Sequence, residues 1–187
     1  MSATTKLQQR QELKTALDRL TEEEFTLSTQ QLNYALKSWL ILNPSYQHIG
    51  VYSAYGREVD LSSTIKDLAY LKWCFPLVND QHMTFHYVKK THTLVSGYRG
   101  IPEPSATLHP LIPAEQLDLV LCPGLGFSPQ GERLGKGGGF YDRYLSQIPS
   151  TIRMGICFPD QQLSSIVSEP HDVKMTHLLT TNGVIEL

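Results

Sequence analysis

Apolar residues recur at helical spacing early in this chain and in short strand-like runs later. Leu7, Leu13, Leu17 and Leu20 fall near a 3.6-residue repeat among Lys, Gln, Glu and Arg, which predicts an amphipathic helix over residues 5–20. Ser28 with Gln31 fits a capping box, and Leu32, Ala35, Leu36, Trp39 and Leu40 then trace one face of a second helix that stops before Asn43-Pro44. Residues 48–55 are β-branched and aromatic, Ser62 or Ser63 caps a third helix running through Trp73, and residues 74–78 and 82–88 are further strands. Residues 97–113 carry four prolines and read as irregular. Residues 117–122 form a buried strand, 140–148 a helix, and 152–158 and 177–181 late strands. This alternation predicts an α/β fold: a single domain over residues 1–187, with a mostly parallel central sheet flanked by helices on both faces.

Composition supports one packed core, since 41% of the 187 residues are apolar. Sixteen basic against eighteen acidic side chains leave a net charge of −2, and no basic run exceeds Lys89-Lys90, so the footprint of a nucleic-acid binder is missing. Cys74, Cys122 and Cys157 are widely spaced and lack any Cys-x-x-Cys, which argues against a disulfide framework and a zinc site. The first twenty residues are polar, and no stretch approaches the roughly 20 apolar residues of a membrane span. A cytoplasmic protein without membrane or nucleic-acid partners, monomeric or weakly homodimeric, is the expectation.

The most informative segment follows the strand at 117–122. Pro123-Gly124-Leu125-Gly126-Phe127 leads into Gly131-Glu132-Arg133-Leu134-Gly135-Lys136-Gly137-Gly138-Gly139-Phe140-Tyr141-Asp142 and a helix start. Glycines expose backbone N–H groups and permit positive φ, the helix directs its positive end at the loop, and Arg133, Lys136 and Arg143 add full charges, which together suit a polyphosphate. It is not a Walker loop, because three residues rather than four separate Gly131 from Gly135-Lys136 and Gly137 follows. It is not a dinucleotide fingerprint either, because neither Gly-x-Gly is completed by a Gly three residues on.

The segment resembles the motif of the 5-formyltetrahydrofolate cyclo-ligase family, also called 5,10-methenyltetrahydrofolate synthetases. Lys6-x-x-x-Arg10, Glu58-Val59-Asp60, Met83-x-Phe85, Gly100-Ile101-Pro102-Glu103-Pro104 and His171-Asp172 extend the resemblance, in order, along nearly the whole chain. The resemblance implies ATP-dependent cyclisation of 5-formyltetrahydrofolate to 5,10-methenyltetrahydrofolate with release of ADP and phosphate, and Mg²⁺ as cofactor. It implies ATP contacts at Lys6, Arg10, Arg133, Leu134, Gly135, Lys136, Gly137, Gly138, Gly139, Phe140 and Tyr141, with Arg133, Lys136 and Tyr141 acting in catalysis. It further implies folate contacts at Ser53 and Glu58, and magnesium carboxylates at Asp142 and Asp172.

Each residue also has a plainer reading. Lys6 and Arg10 share a helix face that solvent alone would explain. Asp142 sits in a first helical turn, where a carboxylate caps. Asp172 is a turn residue in Pro170-His171-Asp172, and Glu58 adjoins Arg57, an ordinary exposed ion pair. Met83 and Phe85 read as sheet core, with a place for them in a folate pocket the lesser expectation. His82 and His86 are no metal pair, since four residues of strand span about 13 Å. Ser128 departs from the family, which usually has Asp there; a non-catalytic nucleotide-binding or regulatory module is the alternative that this departure supports.

Overall fold

The computed structural model describes residues 5–187. It opens with α1 (Lys6–Arg19) and α2 (Glu22–Leu42), each begun by a capping box, Thr5 with Gln8 and Thr21 with Glu24. The cap expected at Ser28 and Gln31 is thus corrected to Thr21 and Glu24. Both pairs fit the pattern, but Glu22, Glu23 and Glu24 place negative charge on the first turn, where the helix end is positive.

The remaining elements are β1 (His48–Gly50), α3 (Ser62–Asp67), β2 (Lys72–Asn79), β3 (His82–Tyr87), β4 (Val95–Ser96), β5 (Pro102–Glu103), β6 (Leu111–Ile112), β7 (Leu119–Cys122), β8 (Gly126–Phe127), β9 (Arg133–Leu134), α4 (Phe140–Leu145), β10 (Ile152–Ile156), β11 (His177–Thr180) and β12 (Gly183–Glu186). Two boundaries differ from expectation. β1 is shorter than residues 48–55, because the chain leaves the ladder after Gly50 to build the site. The third helix ends at Asp67 rather than Trp73, because Leu71, Trp73 and Phe75 alternate with Lys72 and Cys74 at strand period, and the Trp73 indole N–H donates to Leu68 O (3.0 Å).

Eight strands form the main sheet in the order β12-β11-β10-β7-β1-β2-β3-β6. The five from β11 to β2 are parallel, and β12, β3 and β6 extend the edges antiparallel. Strand alternation supplies two cores. Ile49, Trp73, Phe75, Leu119, Leu121, Met154 and Leu179 point to one face, where Leu32, Leu36 and Leu40 of α2 cover them together with residues flanking α3. Cys74, Phe85, Val120, Cys122 and Leu178 point to the other, under Tyr144 and Leu145 of α4. Replacing a fully buried α2 residue such as Leu36 with Ala costs about 2–5 kcal/mol on general grounds. All three cysteines are buried thiols, pushed up to about 12 by burial, which suits packing rather than reactivity.

The chain reverses direction through the sheet between β1 and β7. From β1 it proceeds through α3 to β2 on one side, and from β7 it proceeds to β10 on the other. Loops leaving the carboxyl ends of β1 and β7 therefore flank a topological switch point, the usual crevice for ligands in such sheets.

Candidate active site

A cavity of about 470 Å³ opens at this switch point. The exit of β1 supplies Tyr52, Ser53, Tyr55 and Glu58; the exit of β7 supplies Pro123 and Gly124; and the glycine loop lines it from Arg133 to Asp142. Helix α1 lies across the loop and contributes Lys6 and Arg10, while Glu169, His171 and Asp172 come from the segment before β11. All the site residues that the family resemblance implies thus line one cavity, including pairs more than a hundred positions apart, whereas Arg143, read as a third charge of the loop, does not.

The glycines are required by conformation. Gly139 precedes α4 in the left-handed region (φ 67°), where a Cβ would stand 2.5 Å from Arg143 Nη1, and Gly137 has φ 103°. Arg143 does not face the cavity. Its Nε donates to Gln81 O and its Nη2 to Gly138 O, both at 3.0 Å, so it braces the loop from behind.

Three cationic side chains pair with carboxylates across the site. Arg133, with a side chain 4% exposed, donates from Nη2 to Asp142 Oδ2 at 2.9 Å and from Nη1 to Pro123 O at 3.3 Å. Its guanidinium lies 5.5 Å from the centre of the Tyr141 ring, and Arg133 Nε and the Tyr141 hydroxyl are buried without a partner among the described residues. Burial, with smaller contributions from Cys122 and Glu58, pushes the Tyr141 hydroxyl well above the ordinary tyrosine value and keeps it a neutral donor. Asp142 Oδ1 accepts from Val173 N at 3.2 Å, so its carboxylate ties the glycine loop to the 169–173 segment. The capping reading of Asp142 is thereby corrected, since no side chain caps α4.

Lys6 Nζ contacts Asp172 Oδ2 at 2.6 Å and Glu169 Oε2 at 2.7 Å. Burial alone would push the Lys6 ammonium down, but these two carboxylates outweigh it and raise it. Burial likewise pushes the Asp172 carboxyl up, yet the Lys6 hydrogen bond, the Glu169 N–H and the Lys6 charge together hold it below the ordinary aspartate value. Arg10, one turn on, donates from Nε to Gly135 O at 2.9 Å. The shared face of Lys6 and Arg10 is a site face, not a solvated one.

Lys136 Nζ meets Glu58 Oε1 at 2.5 Å, and Glu58 Oε2 accepts from Tyr55 N at 2.9 Å. The expected Glu58–Arg57 pair does not form, because Arg57 turns to Glu22 (2.9 Å) and stacks on Phe25. Ser53 Oγ donates to Pro102 O at 2.5 Å.

The model of the 5-formyltetrahydrofolate cyclo-ligase family matches residues 2–181. This chain belongs to that family. The cyclo-ligase of Haemophilus influenzae is 27% identical over 183 residues, covering 92% of this chain and 97% of the relative. That of Mus musculus is 29% identical, covering 91% and 90%, and that of Mycolicibacterium smegmatis 41% identical over 100 residues, about half of each chain. The 5,10-methenyltetrahydrofolate synthetase structures of Aquifex aeolicus (TM-score 0.87, 24% identity, 98% of this chain and 93% of that one) and Mycoplasma pneumoniae (TM-score 0.77, 22%, 95% and 99%) share the fold.

In this member of the family the Ser128 departure leaves the loop intact. Ser128 Oγ donates to Glu132 Oε2 (2.8 Å) and accepts from Glu132 N (3.2 Å) and Gln130 N (3.3 Å), closing the turn as a hydroxyl can. Met83 lines the cavity while Phe85 is fully buried in the core. The two ring nitrogens of His86 meet the Thr84 hydroxyl and His109 O. Sequence reasoning missed Tyr98, Arg99 and Glu169 and gave Ile101 and Glu103 no site role, although both stand in a motif of the family resemblance; all but Glu169 lie in the proline-bearing stretch read as irregular.

Proposed function

We propose that this chain catalyses ATP-dependent closure of 5-formyltetrahydrofolate to 5,10-methenyltetrahydrofolate, releasing ADP and phosphate. The observation that carries the reading is the Lys136–Glu58 contact, which joins the phosphate-type loop to the carboxylate suited to a pterin's N–H donors within one cavity. Ring closure by N10 requires the formyl oxygen to become a leaving group, and phosphorylation provides one. Lys6, Arg10, Arg133 and Lys136 surround the loop as partners for a triphosphate, and the glycine amides add donors. Such transfer depends on positioning and charge neutralisation more than on a protein nucleophile. The neutral Tyr141 hydroxyl, held beside Arg133, is a donor for the transferring group.

The ligand chemistry suits Mg²⁺ as well. Glu169, His171 and Asp172 present ligand atoms within 4.8 Å of one another, and Asp142 adjoins them through Val173. Asp142 and Asp172 would hold the ion, which would supply neutralisation of phosphate charge. Among the described residues no helix is long and apolar enough to cross a membrane; a cytoplasmic location belongs to this reading. Nucleotide turnover provides the test: ATP should be hydrolysed only when 5-formyltetrahydrofolate is present. ATP bound with neither compound consumed would favour a binding module instead.

A further inference from the structure

Resting on that reading, we infer that Glu103 is a folate-binding residue, a second carboxylate that takes an N–H donor of the reduced pterin. Glu103 closes the small β4–β5 hairpin, where it pairs with Val95. It is 5% exposed, lines the cavity, and among the described residues accepts one hydrogen bond, from Tyr98 N at 3.1 Å, with no Lys, Arg or His paired to it. A carboxylate offers about four acceptor positions, and a buried one with a single neutral donor is costly unless a further donor arrives. The hairpin is shaped to keep it there. A Cβ at Gly97 would stand 2.4 Å from the Glu103 carboxylate, and the Ser53 bond to Pro102 O anchors the hairpin to the exit of β1.

The contrast with Glu58 sharpens the assignment. Both oxygens of Glu58 already have partners, Lys136 and Tyr55 N, whereas Glu103 keeps acceptor capacity toward the cavity. Pro76, Val78 and Met83 line the same cavity, an apolar surface against which a flat ring can lie. Glu103 is therefore the carboxylate with an oxygen free of protein partners, whereas each oxygen of Glu58 has one.

The test measures steady-state kinetics and melting of wild type, Glu103→Leu and Glu103→Gln. Loss of a charge-assisted hydrogen bond should raise the 5-formyltetrahydrofolate KM of Glu103→Leu roughly 10- to 100-fold while the ATP KM stays within about twofold. Glu103→Gln, which keeps an acceptor oxygen, should recover most of that loss. An unchanged folate KM in folded Glu103→Leu overturns the assignment, as does an equal rise in both KM values with a lowered Tm, which marks a hairpin staple. A measurement on wild type stands independently of variant folding: carbodiimide-driven amine labelling of Glu103, read by peptide mapping, should be blocked by 5-formyltetrahydrofolate and not by ATP. Labelling indifferent to folate overturns the inference. Absence of wild-type turnover would instead refute the proposed reaction, and the Glu103 assignment with it.

Discussion

Asp142→Asn separates the structural work of this carboxylate from the metal binding proposed for it. The substitution removes one charge while keeping size and an acceptor oxygen. With side chains 4% and 17% exposed, Arg133 and Asp142 do not belong to the weak surface regime, so a buried guanidinium is left without its counter-charge. Because the Nη2 donor retains an acceptor, the loss should resemble one charged hydrogen bond, about 1–3 kcal/mol. For a chain of this length that corresponds to a Tm lower by about 2–12 °C. On the proposed reading ATP phosphates would give Arg133 a replacement anion, so saturating ATP should narrow the gap between variant and wild type. Activity should fall by orders of magnitude or require far more Mg²⁺. Thermal melting and magnesium titration on the same preparation decide the matter. An unchanged Tm would show that the ion pair contributes nothing, and a lowered Tm with normal magnesium dependence would make Asp142 purely structural.

Other expectations follow from individual contacts. Lys136→Ala should raise the ATP KM about tenfold or more while folate affinity without nucleotide stays within about threefold, by titration calorimetry; a loss of folate affinity alone would assign the loop to the wrong ligand. The Asp172 carboxyl is held below its ordinary value in the folded state, so its stabilisation is present above about pH 4 and is lost as pH falls through the folded value. The Tm difference between wild type and Asp172→Asn should accordingly hold steady from about pH 7 to 5 and shrink below about pH 4; a difference undiminished in acid contradicts the pairing with Lys6. With thiols pushed up to about 12, Cys74, Cys122 and Cys157 should resist alkylation near pH 8 until denaturant is added, as mass spectrometry would show.

Much of this architecture was legible in the sequence because the signals were local. The Leu periodicity of α1, the apolar run of β7 and the glycine loop each sit within a few turns of chain. The failures came where two local signals competed. Thr21-x-x-Glu24 and Ser28-x-x-Gln31 both spell a capping box, and Leu68, Leu71 and Trp73 fit a helix until the alternation through Phe75 is weighed. The edge strand β12 went unread because its hairpin turns on Thr181-Asn182, an unremarkable pair, while Gly183, at φ 121°, already belongs to the strand and pairs with Thr180. In the site, glycine and charge patterns marked the phosphate loop, but the partner of Glu58 is Lys136, far along the chain, and proximity in sequence favoured Arg57 instead. Glu103 stayed hidden because prolines suggest loop, while its burial arises from a hairpin folded against β1's exit.

The central claim is chemical, and one reaction tests it most directly. Purified protein, 5-formyltetrahydrofolate, ATP and Mg²⁺ should generate the methenyl chromophore with one ADP released per methenyl group formed, and omission of any component should abolish it. Folded protein that yields no methenyl product at saturating substrates, or that releases ADP without it, would contradict the account.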